Sequence, residues 1–188
     1  MKDYSQYSDS QLFELFSQEQ RNKADIFTEI YNRTSVSIYN YCFHILANPQ
    51  DANDATQETF VKFYQQKEFH HTFYLKGYLF KVARNECLRI LRKSIKLEPI
   101  NEEDFGSLEL NLETKELSQI INHAIERLPF SLREVFILKF VQGMDYEEIA
   151  KITMLNISTI RTKVYRAITK MQEMLKPHYI ENLKEQNK

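Results

Sequence analysis

The chain has 188 residues, 43% of them hydrophobic, enough to bury the core of one large domain or two small ones. Three Gly and four Pro leave little material for a turn-rich β fold. A net charge of −1 excludes a global attraction to nucleic acid and leaves any such attraction to local patches.

The N-terminus, MKDYSQYSDS, is polar, and no stretch approaches the roughly 20 apolar residues that span a bilayer. A cytoplasmic protein without membrane insertion is expected. Ser8 and Gln11 form a capping-box pattern that opens a short helix carrying Leu12, Phe13, Leu15 and Phe16. A longer helix is predicted over 23–46, with Ile26, Phe27, Ile30, Tyr31, Ile38, Tyr41, Cys42, Ile45 and Leu46 mostly on one face. Asn48-Pro49 ends it and starts a third helix, 49–66, because Pro suits a first helical turn. That helix buries Ala52, Ala55, Thr56, Thr59, Phe60 and Phe63, and its outer face begins acidic with Asp51, Asp54 and Glu58. Acid there also complements the helix dipole.

Residues 65–72 read as a polar and aromatic loop holding His70 and His71, which lack further ligands at metal-site spacing. A fourth helix is predicted over 73–93, with Leu75, Leu79, Val82, Ala83, Leu88 and Leu91 facing inward. Lys81, Arg84, Arg89, Arg92, Lys93 and Lys96 make its second half basic, against Glu86 alone. Such a face is either simply solvated or a seat for a single-stranded backbone. Cys42 and Cys87 lie in apolar helical patterns and read as small core residues rather than a disulfide or metal pair.

Composition shifts at 97–114, where Glu98, Glu102, Glu103, Asp104, Glu109 and Glu113 accompany Pro99 and Gly106 with little periodicity. This is read as an acidic linker between domains spanning 1–96 and 115–188. The second domain opens with a helix through Leu117, Ile120, Ile121, Ala124, Ile125 and Leu128, stopped by Pro129. Ser131 and Glu134 read as another capping box, and Leu132, Val135, Phe136, Leu138 and Phe140 continue the apolar pattern to Gly143, a natural stop.

The stretch 144–170 then reads as two helices around a tight turn. Asp145 with Glu148 caps the first, and Asn156 caps the second. Ile157, Ile160, Val164, Ile168 and Met171 share a buried stripe on the second helix, which Pro177 is expected to close. Its opposite face holds Ser158, Thr159, Arg161, Thr162, Tyr165, Arg166, Thr169 and Lys170. Arginine can pair bidentately with guanine, and the hydroxyls and Lys can meet phosphates or base edges. The expected fold class is therefore all-α: two small helical domains, the second a four-helix domain with a helix-turn-helix. A phosphate loop, His-Glu-x-x-His, Cys-x-x-Cys and a nucleophile–base pairing are all missing from the sequence, so neither an enzyme nor a cofactor is expected.

With both halves placed, the chain resembles an RNA polymerase sigma factor of the sigma-70 family, in its extracytoplasmic-function (ECF) group, over roughly residues 10–175. DANDATQETF at 51–60 is similar to the family's "DAEDLVQETF", and YLFKVARN at 78–85 to "WLYRIARN". Leu128-Pro129, Arg133, Val135, Gly143 and YEEIA at 146–150 fall where "LP…R.V…G.SYEEIA" would, and STIRTKVYRA at 158–167 resembles "GTVKSRLHRA". Tyr78 replaces the family Trp, Arg89 the Asp that follows "RN", Met154 the turn Gly and Ser158 the Gly before the recognition Thr.

The resemblance implies a factor that joins core RNA polymerase, directs it to promoters and performs no covalent chemistry. Asp51, Asp54, Gln57, Glu58 and Lys62 would dock on the clamp helices of the β′ subunit, with further contact to β. Phe69, Phe73, Tyr74, Tyr78, Lys81, Arg84 and Asn85 would read and melt the −10 element, Asn85 lying near an unstacked base. Ser158, Thr159, Arg161, Thr162, Lys163, Tyr165, Arg166 and Lys170 would meet the −35 element in the major groove. An anti-sigma partner is also implied. The alternative from the residues alone is a stand-alone helix-turn-helix regulator; a purely protein-binding helical adaptor is a third.

Overall fold

The structure, a computed structural model, describes residues 4–18, 21–66, 69, 74–95 and 117–185. Its elements are helical, with no strand among the described residues. The chain divides into two compact units whose main boundary lies at Ser94/Ile95. The sequence readings of Phe73, His70, His71, Lys96 and the linker at 97–114 fall outside the described residues.

In the first unit, α1 (Asp9–Gln18) opens on the capping box its sequence predicts. The Ser8 N–H donates to Gln11 Oε1 at 2.8 Å, and the Gln11 N–H donates to Ser8 Oγ at 3.3 Å. Helix α2 (Lys23–Leu46) has the predicted bounds, and α3 (Pro49–Gln65) starts where Asn48 Oδ1 accepts from the N–H groups of Gln50 and Asp51. Helix α4 (Leu75–Ile95) begins and ends two residues later than its pattern suggests. Helices α2 and α3 pack along each other, and α3 buries Ala52, Ala55, Thr56, Thr59, Phe60 and Phe63, the set its spacing predicts.

Rings fill the space that small helical residues leave. Phe16 stacks on Phe63 at 4.4 Å between centroids, and Phe13, Phe63 and Tyr78 surround Phe69 at 5.0–5.6 Å. Arg33 pins the N-terminal segment: its guanidinium donates to the carbonyls of Tyr4, Ser5 and Tyr7 and to Glu29 Oε1 at 2.7 Å. Cys42 on α2 and Cys87 on α4 are both buried and form no disulfide. Although 45 positions apart, they meet: a hydrogen bond from Cys87 holds the Cys42 thiol below its ordinary pKa, against the effect of burial.

The second unit holds α5 (Leu117–Glu126), α6 (Phe130–Phe136), a π-helical turn at Ile137–Val141, α7 (Tyr146–Thr153) and α8 (Ile157–Glu185). Helices α5 and α6 both pack on α8. Three sequence expectations are corrected here. Helix α6 starts at Phe130, directly after Pro129, so Ser131 lies inside the first turn and caps nothing; Glu134 is buried instead. The apolar pattern to Gly143 is broken by the π turn, where the Gln142 N–H reaches back five residues to the Ile137 carbonyl. That extra residue rotates the face, leaving Phe140 51% exposed. Helix α8 also runs through Pro177 to Glu185. Proline removes one backbone donor and crowds the carbonyl four residues back, which kinks a helix without necessarily ending it; that residue, Glu173, is exposed, so water can serve its carbonyl.

Arg133 explains how α5 ends. Its buried guanidinium donates to the carbonyls of Glu126 and Leu128, closing the last turn. Burial lowers its pKa, partly offset by Glu126. Gly143 has φ +69°, as a helix-stopping glycine should.

Candidate nucleic-acid interface

Two surfaces carry the residues singled out in the sequence, one in each unit. In the first unit, the end of α3 and the front half of α4 enclose a cleft of about 420 Å³, lined by Lys62, Gln65, Gln66, Tyr78, Val82, Asn85 and Glu86. That is within the ~300–1,000 Å³ of clefts that take small ligands. Tyr78, Lys81, Val82, Asn85 and Arg89 recur at helical spacing and share one side of α4. Arg84 lies off that stripe. Asn85 is exposed, and burial pushes the half-buried Tyr78 hydroxyl up in pKa.

The aromatic residues have different fates. Phe69, one of the residues that the resemblance assigns to the −10 element, is half-buried with its ring against Phe13, Phe63 and Tyr78. Tyr74, just before α4, lies against Gly77; a Cβ on Gly77 would stand 3.0 Å from the ring. A side chain there would push the ring back by a few tenths of an ångström.

Glu86 draws little notice in the sequence. Its carboxylate is 3% exposed and bound by Lys62 Nζ at 2.5 Å and Arg89 Nε at 2.7 Å. Burial alone would raise its pKa, but the two charged donors outweigh burial and hold it below the usual carboxylate range. The spacing of Glu86 and Arg89 was legible as a helix pair; the reach of Lys62 from α3 was not. Along α3, Asp54 and Gln57 are exposed, Asp51 and Glu58 are half-buried, and Lys62 also lies 3.7 Å from Glu58.

In the second unit, Asp145 and Glu148 close the capping box of α7 at 2.8 Å in both directions. Met154 ends that helix with φ 60°, the left-handed position that its alignment with a turn glycine implies. Asn156 Oδ1 accepts from the Thr159 N–H and the Ser158 hydroxyl, both at 2.8 Å, and so caps α8. Ile160, Val164, Ala167 and Met171 are buried, whereas Ser158, Arg161, Thr162, Tyr165, Arg166 and Lys170 are exposed on the opposite side. Thr159 and Lys163 are half-buried at its edge. The Thr162 hydroxyl donates to the Ser158 carbonyl, which ties it to the helix itself. The Arg161 guanidinium lies 5.4 Å from the centre of the Tyr146 ring, with Lys139 Nζ 4.8 Å from the same centre.

Residues 30–95 match the family model for sigma-70 region 2, and residues 118–171 match that for sigma-70, region 4. The RNA polymerase sigma factor SigV of Bacillus subtilis is 28% identical over 73% of this chain and 83% of its own length. The ECF RNA polymerase sigma factor SigW of the same organism is 24% identical over 85% and 94%. Among solved structures, the sigma factor RpoE of Bartonella quintana, crystallised with the anti-sigma factor NepR, superposes with a TM-score of 0.64. It is 26% identical, over 80% of this chain and 96% of that one. A helical unit matched by the region 2 model and a capped helix-turn-helix matched by the region 4 model identify the chain as a member of the ECF group of the sigma-70 family, non-enzymatic factors that start transcription by RNA polymerase at specific promoters.

Proposed function

We propose a division of labour in which the first unit melts and reads the −10 element and the second docks on the −35 element. The proposed boundaries are 1–96 and 115–188, with 97–114 as the connecting segment. The observation that carries this reading is the cleft between α3 and α4, where Asn85 and Tyr78 stand together on one wall. A melted strand offers what such a wall can hold: a base edge for an amide and a base face for a ring. Lys81 and Arg84 are assigned to the backbone beside the cleft, Tyr74 to the same element of DNA, and Phe69 packs on Tyr78.

On α8, Arg161 and Arg166 project from the exposed face, and Tyr165 is 72% exposed. These residues, with Thr159, Lys163 and Lys170, are assigned to the major groove, and Ser158 to the helix start near a phosphate. The stripe Asp51, Asp54, Gln57, Glu58 and Lys62 on α3 is assigned to core polymerase, a cation-rich helical surface being the natural complement to its acidic start. The site of action is then the cytoplasm. Among the described residues no helix is long and apolar enough to cross a membrane. A protein that covers these faces, as NepR partners RpoE, is the expected form of control.

Reconstituted transcription tests the reading. Core bacterial RNA polymerase supplied with fragmented genomic DNA should yield discrete new transcripts only when this chain is added, and their start sites should share two upstream elements. Binding to DNA without binding to core polymerase would overturn it in favour of a stand-alone regulator.

A further inference from the structure

Glu86 combines deep burial with a place on the cleft wall. It holds two cations at once, Lys62 from α3 and Arg89 from its own helix, whose side chains remain 46% and 45% exposed. Those two cations look available to DNA, yet a phosphate that recruited either would have to compete with a buried carboxylate at 2.5–2.7 Å. Pulling a cation away would leave Glu86 buried and less well paired, an unfavourable exchange. The cation that lines the cleft, Lys62, is thus held by Glu86, as is Arg89 on the same helix, and backbone contact is left to Lys81 and Arg84 outside the lining. What remains on its walls are the amide of Asn85, the side chains of Gln65 and Gln66, and the apolar surfaces of Tyr78 and Val82. Those groups recognise a base by edge and face.

We propose that Glu86 is a specificity-determining residue: by locking Lys62 and Arg89 it withholds two cations from phosphates, so the cleft holds an unpaired nucleotide by its base rather than its backbone. This rests on the reading of the α3–α4 cleft as the seat of a melted base.

The test uses the full chain assembled with core polymerase. The probe is a fork-junction DNA duplex with a short randomised single-stranded overhang; sequencing the bound fraction finds the best overhang, which is remade with an abasic site at each position in turn. For the unaltered protein, one abasic position should cost about tenfold in affinity. With Glu86→Gln, that penalty should shrink to about twofold while the slope of log affinity against log salt steepens by about 0.7–1.4, as for one or two added single-strand phosphates. A variant that keeps both the tenfold penalty and the original slope overturns the proposal. An unaltered protein with no abasic-sensitive position overturns the reading of the cleft itself, before any variant is made. Arg89→Gln gives an independent answer if Glu86→Gln fails to fold. An arginine withheld from DNA leaves the salt slope unchanged when removed, whereas a slope shallower by about 0.7 places it on a phosphate and overturns the proposal.

Discussion

Met154 and Ala47 both occupy left-handed backbone, at φ 60° and 52°, without being glycine. An L-residue there costs about 1–2 kcal/mol. Met154 is 74% exposed, so its side chain buries little that would offset the strain. Met154→Gly should therefore stabilise the second unit by about 0.5–1 kcal/mol after the added freedom of the unfolded chain is counted, read as a higher urea midpoint. Arg133 presents the opposite case. Truncating it to Met strips donors from the buried carbonyls at the end of α5, and a loss of about 2–4 kcal/mol is expected in the same experiment. Lys at 133 should recover only part of that loss, since one ammonium cannot reproduce the guanidinium fork.

Glu86 also has a pH signature. Its carboxylate faces Lys62 from α3, which it shares with Glu58, Arg89 from α4 and Cys42 from α2. Its folded pKa is depressed, so the stability it contributes is fully present above the unfolded value of about 4.3 and is lost as pH falls through the lower folded value. Denaturation midpoints measured from about pH 5 down to pH 3 should fall more steeply for the native protein than for Glu86→Gln. Parallel curves would show that the two cations do not favour its ionised form.

At the scale of elements, the legible parts were those governed by local rules. The bounds of α2, the buried set of α3 and the caps at Ser8, Asp145 and Asn156 follow from spacing and short side-chain reach. What escaped depended on partners distant in sequence. Periodicity gives no sign of the π turn, because its Gln142-to-Ile137 bond changes the residue count per turn. Nor does composition reveal that Phe69 belongs to a ring cluster built from α1, α3 and α4. The candidate site divides the same way: the exposed row on α8 was legible, but the clamp of Lys62 on Glu86 was not.

Tyr146 belongs to this scale because it lies on α7 but supports a residue of α8. Its ring beneath Arg161 contributes about 0.5–1 kcal/mol if the cation–π contact survives in the complex. Tyr146→Leu should weaken binding to −35 DNA by about three- to fivefold, and Tyr146→Phe should leave it nearly unchanged, as measured by fluorescence anisotropy. Equal losses from both would assign the effect to the hydroxyl instead.

For the whole molecule, a net charge of −1 means that attraction to DNA must come from placement rather than from total charge. The solvent side of α8 carries Arg166 and Lys170 together, with Arg161 and the half-buried Lys163 at its two edges, on a helix whose start is capped by Asn156. If these four cations each neutralised one phosphate, duplex affinity would fall with salt at a log–log slope of about −3.6. Arg161 is held over Tyr146 near the start of the helix, where base edges are within reach in a helix-turn-helix; Arg166 lies farther along and suits the backbone. The two arginines should then fail differently. Arg166→Gln should weaken binding to all duplexes alike and make the slope shallower by about 0.9. Arg161→Gln should relax preference at one base pair of the −35 element by about 1–3 kcal/mol while changing the slope little. Titrating matched and single-substituted duplexes across a salt series separates these outcomes, and an exchange of the two patterns would reverse the assigned roles.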